Sequence, residues 1–241
     1  MVERSEVLLP LLRVLAADTG GGSASERLCR AAVRLLGARG GALSLGATED
    51  RVVVAATSTT ARRMEDLQDL LGEGPSFEAF AHRRRRDTLT SSVASVHVAF
   101  ETAAYGLLGD VRVLAFPFPV DDARAVGTLT VYADPAPWSR TRLEVGTRTA
   151  ALLGVVLLEQ ESFEEMLHGT PWQHRVLVHQ ATGVVMTTLH VPAAESLSLL
   201  RAHAVAEDVA VVTVARGVVE DGDTAWLGAP SPRPRPGSDG R

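Results

Sequence analysis

Every basic side chain in this sequence is an arginine: the 24 Lys+Arg residues include no lysine. That alone removes chemistry. A Schiff-base lysine, a phosphate-loop lysine and the lysine that pairs nucleotide phosphates in kinases are all excluded. The single cysteine, Cys29, rules out an intramolecular disulfide and any multi-cysteine metal cage. It lies in SERLCRAAVRLLG, where Leu28, Ala32, Leu35 and Leu36 make an apolar helical face, so the thiol reads as buried rather than reactive. Ser44, Ser76 and Ser139 stand in no G-x-S-x-G elbow, and no H-E-x-x-H is present. His168, His174, His179, His190 and His203 gather in the last third. His174 and His179, however, are five residues apart, diverge on a helix and have no carboxylate at ligand spacing. No catalytic centre, metal site or cofactor follows; the expectation is a protein that binds and is not an enzyme.

Two other features have binding chemistry. Arg83 to Arg86 are consecutive, and such a run either meets phosphate or is a solvated helix end where cations complement the helix dipole. Phe77, Phe80, Phe100, Tyr105, Phe116 and Phe118 either line a pocket or form core. His97, in SSVASVHVAF, has no accompanying ligand and reads as a satisfied or solvent-facing histidine in a loop or strand.

The elements that must position these residues are legible from periodicity. Residues 24–38 read as a helix opened by Ser25, and GGALSL and RVVVAATS as a hairpin around ATED. MEDLQDLLGEGPSFEAFAHRR reads as two helices broken at Gly72–Pro75. VRVLAFPFPV and AVGTLTVYADP make a second hairpin around Asp121–Arg124, and Ser139 to about Glu165 a long helix. On that helix Ala151, Leu152, Val155, Val156 and Leu158 give a broad apolar surface, for the domain's own core or for a second subunit. The fold class is therefore α+β, with a sheet flanked by helices.

Within that region L-Q-D-L-L-G-E-G-P-S, A-F-P-F-P-V, V-G-T-L-T-V-Y-A-D and W-S are similar to the GAF domains of actinobacterial regulators, over about 140 residues. The resemblance implies an antiparallel sheet of six strands between helices, a small-molecule ligand and homodimerisation. Where the family often has cysteine after Gly-Pro, this sequence has Ser76, so a thiol switch there is absent.

A stop signal at Gly169–Pro171 precedes a different pattern, HQATGVVM, then LHVPAAESLSLLRAHA, then DVAVVTVARGVV. Ala181, Val185 and Leu189 share one face with Val178. Leu197, Leu200 and Ala204 share another with Ala193, behind Pro192 at the helix entrance. The third segment suits a helix or, by its β-branched residues, a strand. The order A-x-G-x-x-M, L-L-R-x-x-A, V-A-x-x-V-V resembles the ANTAR domain, a three-helix module that binds paired RNA hairpins and prevents transcription termination. The resemblance implies Arg175, Gln180, Thr182, Gly183 and Arg201 as the RNA-binding candidates, with Ala181, Met186, Leu200 and Ala215 holding the bundle. It departs at Thr182, where the family has lysine, and at Thr187, Thr188 and Leu189, where it has a charged pair and an aromatic.

The organisation expected is a GAF-like sensor domain over 1–168, an ANTAR-like domain over 172–227 and a disordered Pro/Arg-rich tail over 228–241. MVERSEVLLPLL lacks a secretory signal pattern and no apolar run reaches a membrane span, so a cytoplasmic protein without membrane contact is expected. From Trp172 to Leu227, Arg175, Arg201 and Arg216 face Glu195, Glu207, Asp208, Glu220, Asp221 and Asp223. Nucleic-acid affinity is dominated by phosphate contacts, so this acidic balance predicts weak RNA binding with a shallow salt dependence. A protein-interaction or dimerisation role for the C-terminal domain is the alternative.

Overall fold

The computed structural model describes residues 4–46, 51–92, 97–120, 124–159 and 170–228. Five strands, β1 (Gly40–Leu45), β2 (Val52–Ala56), β3 (Arg86–Leu89), β4 (Arg112–Pro119) and β5 (Ala125–Ala133), form one antiparallel sheet in the order β2-β1-β5-β4-β3. Both expected hairpins are present. The sheet has five strands where six were expected, counted among the described residues.

Helices α1 (Arg4–Ala16), α2 (Ala24–Leu35) and α6 (Arg140–Glu159) cover one face; α3 (Thr59–Leu71), α4 (Pro75–His82) and α5 (Val98–Leu108) cover the other. The first face is an apolar core in which Leu43, Leu114, Phe116, Phe118, Leu129 and Val131 meet Leu28, Cys29 and Ala32 of α2 and Leu153 and Leu157 of α6. Successive residues on a strand alternate faces, so Ser44, Thr128 and Thr130 point the other way. On that second face Tyr132, Val113, Val111, Met64, Phe100 and Ala104 make a smaller core that leaves the Ser44–Thr128 end polar.

Local chemistry explains most boundaries. The α2 cap is Ser23, not the expected Ser25. Ser23 Oγ accepts from Glu26 N (3.2 Å) and Glu26 Oε2 accepts from Ser23 N (2.9 Å), a reciprocal box that satisfies two donors the first turn leaves free. Gly72, at φ 68°, ends α3 in a left-handed conformation, and Pro75 starts α4. The arginine run is not a single helix end, because Arg86 opens β3. His97 lies in a non-helical position, as expected, immediately before α5, and its side chain makes no capping hydrogen bond to that helix.

The chain divides into two compact units, Met1–Arg175 and Val176–Arg241. Helix α7 (Thr170–Leu189) begins in the first unit and runs into the second, where α8 (Ala193–Ala206) and α9 (Val211–Arg216) are followed by a π turn, Gly217–Asp221, and a 3-10 turn, Ala225–Leu227. The third segment is thus helical. Val176–Leu189 and α8 meet at 106° across the break that holds His190 and Pro192. Ala181, Val185, Leu197, Leu200, Ala204, Val214, Ala215 and Val218 are buried. Met186, expected inside this bundle, is exposed. No single described helix is long and apolar enough to cross a membrane. Continuation of α6 to Glu165, Gly169 of the expected boundary and the tail beyond Gly228 lie outside the described residues.

Candidate functional site

The polar end of the second sheet face holds a cluster of buried side chains that hydrophobic packing does not explain. Ser44 and Thr128 stand opposite each other in the β1–β5 register, and Thr130 lies two residues on, so all three project to one side. Across from them α3 turns Glu65 and Gln68 inward at helical spacing. Arg51 enters from the residue before β2, and Ser76 from the first turn of α4. Glu65, Gln68 and Ser76 are essentially without solvent contact.

Arg51 organises the group. Its guanidinium pairs with Glu65, donates from Nη1 to Asp69 Oδ1 (2.5 Å), and donates from Nη2 to Ser44 Oγ (2.9 Å) and Ser76 Oγ (3.0 Å). It also lies over the Phe77 ring, 5.3 Å from the centroid. Glu65 accepts from Ser44 Oγ (3.2 Å) and from Gln68 Nε2 (3.2 Å). Gln68 Oε1 in turn accepts from Ser76 N (2.8 Å). That last bond needs the glycine at position 74. At φ 140° it brings its backbone against Gln68, and a Cβ there would sit 2.6 Å from the Gln68 side chain. Ser76 Oγ lies 3.4 Å from both Thr128 Oγ1 and Thr130 Oγ1.

One donor in this network is left over. Arg51 Nε is buried without a hydrogen-bond partner among the described residues. A buried donor costs free energy until something accepts from it, so the site has unused capacity for an acceptor. Ser76 Oγ also lies 3.5 Å from Glu65 Oε2, so the hydroxyl and the carboxylate, like the guanidinium, are groups that can exchange hydrogen bonds with a polar ligand. Sequence reasoning missed Arg51, Glu65, Gln68, Thr128 and Thr130, and noted Ser44 and Ser76 only as serines outside any nucleophile elbow and Ser76 for the thiol it lacks. The signal available was that Thr128 and Thr130 alternate onto one face of β5 and that Glu65 and Gln68 share one face of α3, which groups them without showing that the faces are covered.

The remaining sequence candidates separate. Phe116 and Phe118 belong to the α6-side core, Phe100 to the smaller core, and Tyr105 is exposed. His97 Nε2 lies 3.4 Å from Glu78 Oε1, and Glu78 also pairs with Arg86 Nε at 2.6 Å. Burial pushes the Cys29 thiol up to about 12, and the described residues hold no group of histidine, cysteine and carboxylate arranged for a metal.

On α7, Gln180 is exposed and Gly183, one turn on, is half-buried with open space where a Cβ would stand. Thr182 sits on the buried side, only 9% exposed, and donates its hydroxyl to Val178 O at 2.7 Å. Arg201 is half-buried on α8, a different helix. Arg175 has its backbone in α7, and its side chain lies outside the described residues. Gln180 and Gly183 thus share one face and Thr182 does not.

A GAF domain family model matches residues 23–158, the span that holds the sheet, α2 to α5 and nearly all of α6. Among solved structures, the chain is similar to the GAF domain of A. aeolicus NLH2 crystallised in an inactive state, at 14% identity and a TM-score of 0.40. That likeness covers 63% of this chain and 90% of the other. No curated protein matches the chain. With more than half of its residues inside the family match, the chain belongs to the GAF domain family.

Proposed function

We propose that this protein is a signal-responsive regulator that works by binding, with the Arg51–Glu65–Ser76 cluster as its sensing element and the C-terminal helices as its output. The observation that carries the sensing half is the unmatched Arg51 Nε inside an otherwise satisfied polar network. A small ligand with an acceptor group takes that donor and displaces internal partners of Arg51. Because the network ties α3 and α4 to β1 and β5, such an exchange moves helices relative to the sheet. Exposed Leu8, Leu9 and Leu12 on α1, with Val155, Val156 and Leu158 on α6, suit the homodimer that the GAF resemblance implies.

For the output, the reading is that α7–α9 act as an ANTAR-like module on paired RNA hairpins and so control transcription termination. Ala181, Leu200, Ala204 and Ala215, which carry much of that resemblance, are fully buried, while Gln180 and Gly183 remain accessible on one face. Recognition of loop bases by that face, with arginines on phosphates, is the mechanism. The test is selection from a transcript pool by the purified protein at low and physiological salt. Enrichment of paired hairpins, lost on Gln180→Ala and Arg201→Ala, supports it.

One observation favours a second reading. Glu195, Glu207, Asp208, Glu220, Asp221 and Asp223 are all exposed, so the C-terminal unit presents a negative surface. No enrichment even at low salt would retire RNA and leave this unit as a protein-interaction module.

A further inference from the structure

At the turn end of the β4–β5 hairpin, α4, the hairpin and the last turn of α6 flank an open concavity of about 520 Å³. None of its lining residues belongs to the polar cluster. Phe80, Val120, Val126 and Leu158 make its walls apolar, and Arg83 and Arg124 stand among them. Val120 and Leu158 remain 48% and 41% exposed, large apolar groups that the domain itself does not cover.

Arg83 is held at this site by the way α4 ends. It is the C-terminal cap residue, at φ 53°, a left-handed conformation that non-glycine residues adopt at a cost, and its N–H donates to Phe80 O at 3.3 Å. The helix end therefore sets Arg83 in the same hollow as Phe80. Within the domain its guanidinium reaches one weak acceptor, Ala81 O at 3.5 Å from Nη1. Arg84 and Arg85 follow and are exposed; of the four-arginine run, Arg86 is drawn into the ion pair with Glu78. Arg83 and Arg124 are thus the charged residues among the apolar walls of the hollow.

We propose that this concavity binds a small amphiphilic anion, an acyl-chain carboxylate with its chain on Phe80, Val120, Val126 and Leu158 and its head group on Arg83. The hollow lies within the range of roughly 300–1,000 Å³ usual for small-molecule sites. Its two chemistries select together. A planar guanidinium matches a carboxylate with two parallel hydrogen bonds, and the walls reward the chain but not a fully hydrated anion. The site goes beyond the sensing cluster and the RNA reading and depends on neither.

The test is calorimetric titration of the full chain with sodium decanoate, and separately with decanol, decyltrimethylammonium and acetate. Saturable one-to-one binding is expected for decanoate, with decanol, the cation and acetate each weaker by about tenfold or more. Arg83→Ala should bring decanoate down to the level of decanol. Leu158→Glu should remove binding, and Val120→Asp, from the opposite wall, does the same if the first variant fails to fold. Decanol or the cation binding as tightly as decanoate, decanoate binding unchanged in Arg83→Ala, or no saturable binding of decanoate would each overturn the proposal.

Discussion

Arg51 and Glu65 form an ion pair sealed from solvent, their side chains 4% and 1% exposed, between a strand entrance and the middle of α3. Each charge has further partners, Asp69, Ser44 and Ser76 for the guanidinium, Ser44 and Gln68 for the carboxylate. Taking two charges out of water is expensive, and a hydrophobic pair of the same volume often does as well. The pair bridges β1, α3 and α4 at the point where the apolar core stops, so its expected net contribution to stability is small although removing one partner is costly.

Glu65→Gln should therefore destabilise the domain strongly, by about 3–5 kcal/mol, because it leaves the Arg51 charge buried against a neutral partner. The double variant Arg51→Met with Glu65→Met should recover a large part of that loss, since Asp69 at 34% side-chain exposure can rehydrate. Chemical denaturation of the three proteins checks this. A double variant as unstable as Glu65→Gln would mean that the charges themselves hold the domain together.

Stability against pH should reflect two aspartates of opposite sign. Burial raises the Asp66 carboxyl from 3.8 to about 6. The folded state therefore holds this proton more tightly than the unfolded chain does. Its favourable contribution is complete below pH about 4 and is lost as pH rises through about 6. Asp18 runs the other way. Hydrogen bonds from Arg30 hold its carboxyl below the usual range, so its contribution is present above pH about 4 and lost as pH falls further. Asp66→Asn should raise stability near pH 7.5, by at most about 3 kcal/mol, and change little at pH 4. Asp18→Asn should lower it near neutrality. Urea midpoints across pH 3.5–8, taken as roughly the span of both titrations, separate the two effects.

Much of the sheet was legible because its hairpins announce themselves locally: alternating or apolar runs flank short polar turns, and G-E-G-P interrupts two helices. What was hidden is instructive. Arg86–Leu89 carries an arginine, an aspartate and a threonine in four residues, and becomes β3 only because it pairs with β4. Tertiary pairing there overrides weak strand propensity. The polar cluster was hidden for a related reason. Ser44, Thr128 and Thr130 look like solvent-facing alternates of half-buried strands, and only the second helical layer turns them inward. Periodicity reports which face a residue is on, not whether both faces are covered. The helical third segment of the C-terminal unit was equally undecided, since Val211, Val212 and Val214 suit either structure.

Cys29 should be chemically silent in the folded protein. Its thiol is wholly buried, contacts Gly41 O at 3.5 Å and is pushed up to about 12 by burial. At pH 8 only about one thiol in ten thousand is ionised, and the thiolate is the reactive form. Iodoacetamide at pH 8 should leave the native protein unmodified by mass spectrometry and alkylate it fully in denaturant. Rapid native labelling would show that α2 opens from the sheet far more often than its packing implies.

Two helical glycines should respond to alanine in opposite directions, and the second also reports on the proposed output. Gly146 in α6 faces Phe116, and a Cβ there would lie 2.5 Å from the ring, closer than any carbon contact allows. Gly146→Ala should cost about 1–3 kcal/mol by overpacking, more than the gain in helix propensity returns. Gly183 in α7 has nothing within 4 Å of the equivalent position. Gly183→Ala should therefore stabilise its helix by about 0.5–1 kcal/mol. If hairpin RNA lies against the Gln180–Gly183 face, the same methyl group intrudes on it, and enrichment from the transcript pool should fall while the melting midpoint rises. Loss of binding through unfolding would lower both together. Enrichment unchanged in a more stable Gly183→Ala would take RNA off this face.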